Sequence, residues 1–245
     1  MDDSDKKVKA ALEDKTLDPH NNKEHLLMVC LYFMGRHMAL WGMKEYYNIT
    51  IKEVYMGRFS SDEVSEDVRG LKYFAIYVPW SKTVQASLKT PVAADKKKAL
   101  LTVVEDKSAG IMDPYPYFHD YVSLLHPETE RFISKPCHSE KNLREFKKAY
   151  PNRTIWYYPA GSIANYNIGI GKIPHFFKNF AKLCGDPNWQ KCTGQGLRKL
   201  CLTVAVDAGL HPIDVAAIAR HSSLNSQASY VKDSQLRKGQ RSIAV

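Results

Sequence analysis

The chain has 245 residues, 44% of them apolar and 25% charged, with 35 Lys and Arg against 26 Asp and Glu and a formal net charge of +9. That length supports one large domain or two small ones with a proper core, which excludes a disordered chain and a disulfide-stapled miniprotein. No apolar run approaches the roughly 18 residues of a membrane span, and the acidic, lysine-rich start lacks the apolar centre of a signal peptide, so a soluble intracellular protein is expected.

In chain order, residues 1–21 read as a polar, loose helix or tail. A helix starts at Asn22 and runs through Glu24 to Met34, apolar on nearly every face, as a helix in the middle of a core should be; it ends near Gly35, with Arg36 at its edge. Ile49 to Met56 and Lys72 to Val78 are rich in β-branched and aromatic residues and read as strands, followed by a turn at Pro79-Trp80-Ser81-Lys82-Thr83. Leu88 to Ala93 is a third strand, confined to a sheet edge by Pro91.

Helices are then expected at Ala94–Val104 and Pro114–Leu125, a polar connection at Lys135–Tyr150, and a loop at Pro159-Ala160-Gly161-Ser162. Gly169-Ile170-Gly171-Lys172 opens a helix from Ile173 to Cys184. This run lacks the glycine spacing and the Lys-Ser/Thr ending of a phosphate loop, so no nucleotide site is assigned. The last third is helical: Gly194–Ala208, Pro212–Ala219 with Pro in its first turn, and Ser226–Arg237. The whole is α+β and mostly helical, with a small antiparallel three-stranded sheet.

Cys30, Cys137, Cys184, Cys192 and Cys201 form no C-x-x-C pair. An odd count without ligand spacing points to reduced, mostly buried thiols rather than a metal site or a disulfide framework. Charge is uneven. Residues 151–245 hold 12 Lys and Arg against Asp186, Asp207, Asp214 and Asp233, so they carry +8 of the +9. A basic half points to a polyanionic partner, above all nucleic acid, although a solvated surface could carry the same excess.

Within that half, Gln195-Gly196-Leu197-Arg198 lies in the first turns of a helix, His221 in Ala219-Arg220-His221-Ser222-Ser223 follows 23 residues after Arg198, and Tyr230 nine after His221. An arginine, a histidine and a tyrosine so spaced can converge on one phosphate. The arrangement resembles the catalytic domain of the tyrosine recombinases, whose C-terminal motif is His-x-x-Arg, Leu-Gly-His-Ser-Ser and a nucleophilic tyrosine. That resemblance implies a first arginine at the end of a buried helix and a lysine on a hairpin, which Arg36 and Lys82 match; Lys72 and Lys89 compete with Lys82 for the second place. It spans residues 22–235 as a catalytic domain, with 236–245 as a basic tail. The stretches Asp113-Pro114 to Arg131-Phe132-Ile133 and Tyr157-Tyr158-Pro159 to Gly171-Lys172 look most like the eukaryotic crypton-type recombinases, which would work in the nucleus.

The resemblance implies a site-specific DNA recombinase or integrase. Tyr230 would attack a phosphodiester to give a 3′-phosphotyrosyl bond, Arg36 and Arg198 would hold the charged transition state, His221 would take the tyrosine proton, and Lys82 would protonate the departing 5′ oxygen. It implies no metal and no cofactor, double-stranded DNA as partner, and a homo-oligomer (dimer or tetramer) on DNA. Two positions depart from the pattern. Gln195 stands for the first histidine and cannot carry a proton, and Ala39 stands where the family has an acidic residue to hold the first arginine. Family members also carry a separate DNA-clamping domain ahead of the catalytic one, expected here either from another polypeptide or from a longer chain. The alternatives are a catalytically silent, domesticated DNA-binding module and a type IB topoisomerase that nicks and reseals one strand. His37, beside Arg36, reads as a polar neighbour rather than a phosphate contact.

Overall fold

The structure is a computed structural model, and it describes residues 3–40, 42–60, 66, 68–79, 98–161 and 166–219. The helices are α1 (Asp3–Glu13), α2 (Lys23–Met38), α3 (Met43–Asn48), α4 (Pro114–Ser123), α5 (Glu140–Ala149), α6 (Ile173–Leu183), α7 (Gly194–Asp207) and α8 (Pro212–Ala219). The strands are β1 (Val54–Arg58), β2 (Lys72–Pro79) and β3 (Lys98–Val104). The expected α+β, mostly helical architecture is the one observed.

α2 is the axis of the molecule. Asn22 caps it, accepting the amide N–H groups of Glu24 and His25 at 2.9 and 3.2 Å, which satisfies two of the donors that a helix start leaves unpaired. Every residue from Leu26 to Gly35 is buried, so the all-round apolar pattern has the physical cause it implied. α4, α6, α7 and the sheet all pack around it.

The sheet is antiparallel in the order β1-β2-β3, with Val54 opposite Ile76 and Ile76 opposite Leu101. Phe74, Ala75, Ile76 and Val78 are buried in β2, and the Phe74 ring stacks on Phe118 of α4 with centroids 4.2 Å apart. Such a pair adds about 1 kcal/mol beyond its buried area.

Several expectations need correction. The third strand is Lys98–Val104, within the segment read as a helix over Ala94–Val104; the strand pairs with β2 over all seven of its residues, and pairing overrides weak local preference. The edge strand expected at Leu88–Ala93 lies outside the described residues, as does the helix at Ser226–Arg237. The polar connection at Lys135–Tyr150 contains α5, capped by Ser139, whose hydroxyl accepts the Asn142 N–H at 3.3 Å. None of the α5 residues is buried, so it has no full apolar stripe to betray it. The first segment is not loose: α1 docks through Val8, Ala11 and Leu12, all buried in the main core. α2 also runs on past Gly35 to Met38, so Arg36 sits inside its last turn.

Cys30, Cys137, Cys184 and Cys201 are buried and Cys192 is half-buried, all as free thiols. No helix among the described residues is long and apolar enough to cross a membrane.

Candidate active site

The C-terminal end of α2 and the N-terminal end of α7 meet at a contact that admits no extra atom. A β-carbon on Gly35 would stand 2.7 Å from the Tyr46 hydroxyl and 2.8 Å from the Leu197 Cβ. One on Gly194 would stand 2.8 Å from the Met43 Cε. These glycines let α2, α3 and α7 approach closely, which brings the last turn of α2, with Arg36, beside the first turns of α7, with Gln195 and Arg198. Thr193 caps α7, its hydroxyl accepting the Gly196 N–H at 3.2 Å.

Arg198 is buried, with 3% of its surface exposed. Its guanidinium donates through Nη1 to the carbonyl of Ala39 and through Nη2 to the carbonyl of Ala219. Ala39 is the C-cap of α2, in the left-handed region at φ 47°, ψ 43°, and a cation at that end complements the helix dipole. Ala219 is the last residue of α8. Arg198 therefore ties three helices together, and its second bond fixes the backbone two residues before His221.

Arg36 makes a side-on pair with Asp5 of α1. Its Nε donates to Oδ1 at 3.1 Å and its Nη2 to Oδ2 at 2.9 Å. Asp5 is itself largely buried, and the Tyr32 hydroxyl donates to its Oδ1 at 2.6 Å. Bidentate pairing of this kind fixes the plane of a guanidinium as well as its position. Ala39 is fully buried in a second apolar cluster with Cys201, Leu202, Val206 and Val215, and the carboxylate that meets Arg36 comes from the N-terminal helix.

Cys201 lies one turn after Arg198. Burial pushes its thiol pKa up, and the charges of both Arg36 and Arg198 oppose that shift. Gln195 is exposed on the first turn of α7, three residues before Arg198. His37 turns toward the other side, lining a hollow with Thr102, Val104 and Asp106; crowding by the protein, and then the Arg36 charge, hold its pKa down.

Lys82, His221 and Tyr230 lie outside the described residues, as does Lys89. Lys82 follows the end of β2 by three residues, in the connection to β3. Its competitor Lys72 stands at the opposite end of β2, 3.7 Å from Glu105 and 5.4 Å from the Tyr115 ring centroid.

An apolar hollow of about 230 Å³ opens between α1, α6 and α7, lined by Val8, Tyr32, Phe180 and Leu200 among others. Neither arginine lines it. Among the described residues no group of three or more His, Cys, Asp or Glu side chains is disposed to hold a metal ion.

The residue that sequence reasoning missed is Asp5. A signal existed: Asp5, Val8 and Leu12 fall at i, i+3 and i+7, so a carboxylate shares the buried face of α1 with its apolar anchors.

No family model matches the chain, and no curated protein matches it. In fold it is similar to the crystal structure of XerA recombinase, with a TM-score of 0.54 and 13% identity, over 99% of this chain and 63% of that one. It is also similar to XerH site-specific recombinase bound to palindromic difH substrate in a post-cleavage complex, with a TM-score of 0.52 and 12% identity, over 97% of this chain and 51% of that one. The chain spans between half and two thirds of the length of these proteins. The likeness establishes that the chain shares the fold of these recombinase structures.

Proposed function

We propose that the chain is a site-specific DNA recombinase that cuts and rejoins strands through a 3′-phosphotyrosyl intermediate. The observation that supports the reading is the bond from Arg198 of α7 to the carbonyl of Ala39, the cap of the helix that carries Arg36, in a chain with the fold of recombinase structures. The two XerA and XerH neighbours are recombinases, and the XerH complex contains DNA.

In this reading the Tyr230 oxygen forms a bond to phosphorus while the bond from phosphorus to the 5′ oxygen breaks. His221 takes the tyrosine proton and Lys82 delivers one to the departing oxygen. Tyrosine, with an ordinary pKa of about 10, needs both a base and a positive pocket to act near neutrality. Arg36 and Arg198 supply the pocket, each a planar fork suited to phosphoryl oxygens. Gln195 donates a hydrogen bond at the place where the family's histidine stands. Rejoining reverses the step with the 5′ hydroxyl of another strand. Double-stranded DNA is the substrate, a homo-oligomer forms on it, and the crypton-type recombinases are the nearest branch, with the nucleus as the place of action.

One observation favours a second reading, a catalytically silent DNA-binding module. Arg198 is buried and already engaged with two carbonyls, so it serves the fold whether or not it meets a phosphate. The test is a nicked suicide duplex incubated with wild type and Tyr230→Phe. A covalent protein–DNA band present only in the wild type supports the recombinase. DNA binding with no band from either supports the silent module.

A further inference from the structure

We infer that Asp5 is a positioning residue for Arg36, so that the N-terminal helix is a working part of the phosphate-binding corner. The inference rests on the recombinase reading for what Arg36 does, and on the structure for how it is held.

The carboxylate is not a surface partner that drifts. Its residue is 8% exposed, and the side chains of the pair are 11% and 13% exposed. The Tyr32 hydroxyl, one turn before Arg36 on α2, donates to the same oxygen that accepts from Nε. Tyr32 is in turn fixed by stacking on Phe180 at 4.8 Å. Asp5 therefore has its orientation set from one side by Tyr32 and imposes a plane on Arg36 from the other.

The direction of that plane matters. The side-on pair uses Nε and one hydrogen of Nη2, two of the five guanidinium donors. A guanidinium whose plane is fixed in this way presents a rigid fork geometry, of the kind that matches the oxygens of a phosphodiester. An arginine near a helix end has several rotatable bonds; ordering them before the substrate arrives reduces the entropy lost on binding. Ala39 carries no carboxylate, and the acidic partner of Arg36 comes from α1 through Asp5.

The test compares wild type, Asp5→Asn, Arg36→Ala and the double variant in covalent trapping on a suicide duplex and in duplex affinity. Tyr32→Phe is added as a variant that leaves the carboxylate and α1 packing intact. Charge alone predicts that Asp5→Asn, by removing a negative charge, binds DNA more tightly. Positioning predicts the opposite: weaker duplex binding, and trapping slowed by about ten- to a hundred-fold, the size seen when the partner orienting a functional side chain is lost. Tyr32→Phe slows trapping by a smaller factor, and in the Arg36→Ala background Asp5→Asn has no further effect.

Unchanged or faster trapping by Asp5→Asn, with tighter DNA binding, would overturn the inference and mark Asp5 as a plug that competes with phosphate. A melting temperature that falls without a change in the trapping rate would also overturn it, reducing the pair to a fold contact. If the wild type traps no DNA, the recombinase reading fails. The sign of the Asp5→Asn effect on duplex affinity then still decides the positioning role.

Discussion

The Leu197 Cβ lies 2.8 Å from where a β-carbon on Gly35 would stand, so one hydrogen atom on α2 sets the spacing to α7. Arg36 follows Gly35 and Arg198 follows Leu197, which makes this contact the hinge of the arginine geometry. Gly35→Ala should cost about 1–3 kcal/mol through overpacking, since both obstacles, the Leu197 side chain and the Tyr46 hydroxyl, are in a packed core. Thermal unfolding checks this. Any covalent trapping activity should fall further than stability does, because the two arginines move apart.

Arg198 carries structural weight independent of chemistry. Arg198→Met keeps volume but strips charged donors from the carbonyls of Ala39 and Ala219, one of them the cap of α2. Hydrogen bonds to charged groups contribute roughly 1.5–3 kcal/mol each, so a loss of about 3 kcal/mol is expected from urea unfolding. Arg198→Lys recovers only part, because an ammonium lacks the fork that spans both acceptors. A loss of DNA cleavage in any Arg198 variant therefore has to be read against its folded fraction.

Much of this corner was legible before any coordinates. The unbroken apolar run from Leu26 to Met34 announced a central helix, and Arg36 and Arg198 were placed at the ends of the right helices. Asp5 was not legible as a partner, because the pair joins residues 31 apart in sequence and depends on how α1 docks. β3 was misread because Ala94–Val104 mixes lysines, alanines and β-branched residues, and only pairing with β2 decides for the strand. α5 is hidden for another reason: its apolar face is narrow, with Leu143 and Phe146 three residues apart among the charged residues of Glu140–Ala149.

Stability should depend on pH through His37, whose pKa is held down to about 4, and through two histidines that accept hydrogen bonds from the backbone. His25 Nδ1 accepts the Asp18 N–H at 2.9 Å, and His126 Nδ1 accepts the Glu128 N–H at 3.2 Å. Burial lowers both pKa values from the ordinary 6.5, against the opposing pull of nearby carboxylates. Lowered folded values mean that the unfolded chain binds protons more readily. The contribution is complete above the ordinary value and is lost as pH falls through the lowered ones. The urea midpoint should drop between about pH 7 and about pH 4, and His126→Phe, which keeps the ring against Phe146 and Tyr150, should flatten part of that drop. A midpoint that rises on acidification would contradict the assignment.

Duplex DNA affinity should weaken steeply with salt, since each phosphate contact by Lys or Arg releases condensed counterions. Titrations between about 50 and 200 mM salt measure the slope. A flat dependence would mean that the basic residues of 151–245 do not form the DNA face.

The most direct test of the central claim is the chemical identity of the attached residue. Trypsin cutting after Arg220 and Lys232 releases residues 221–232, a peptide with His221 and a single tyrosine, Tyr230. After trapping on a suicide duplex and digestion of protein and DNA, mass spectrometry should find a 3′-phosphonucleotide on that peptide. An adduct on another peptide, or none while the protein still binds the duplex, would contradict the claim that Tyr230 is the nucleophile of a strand-exchanging enzyme.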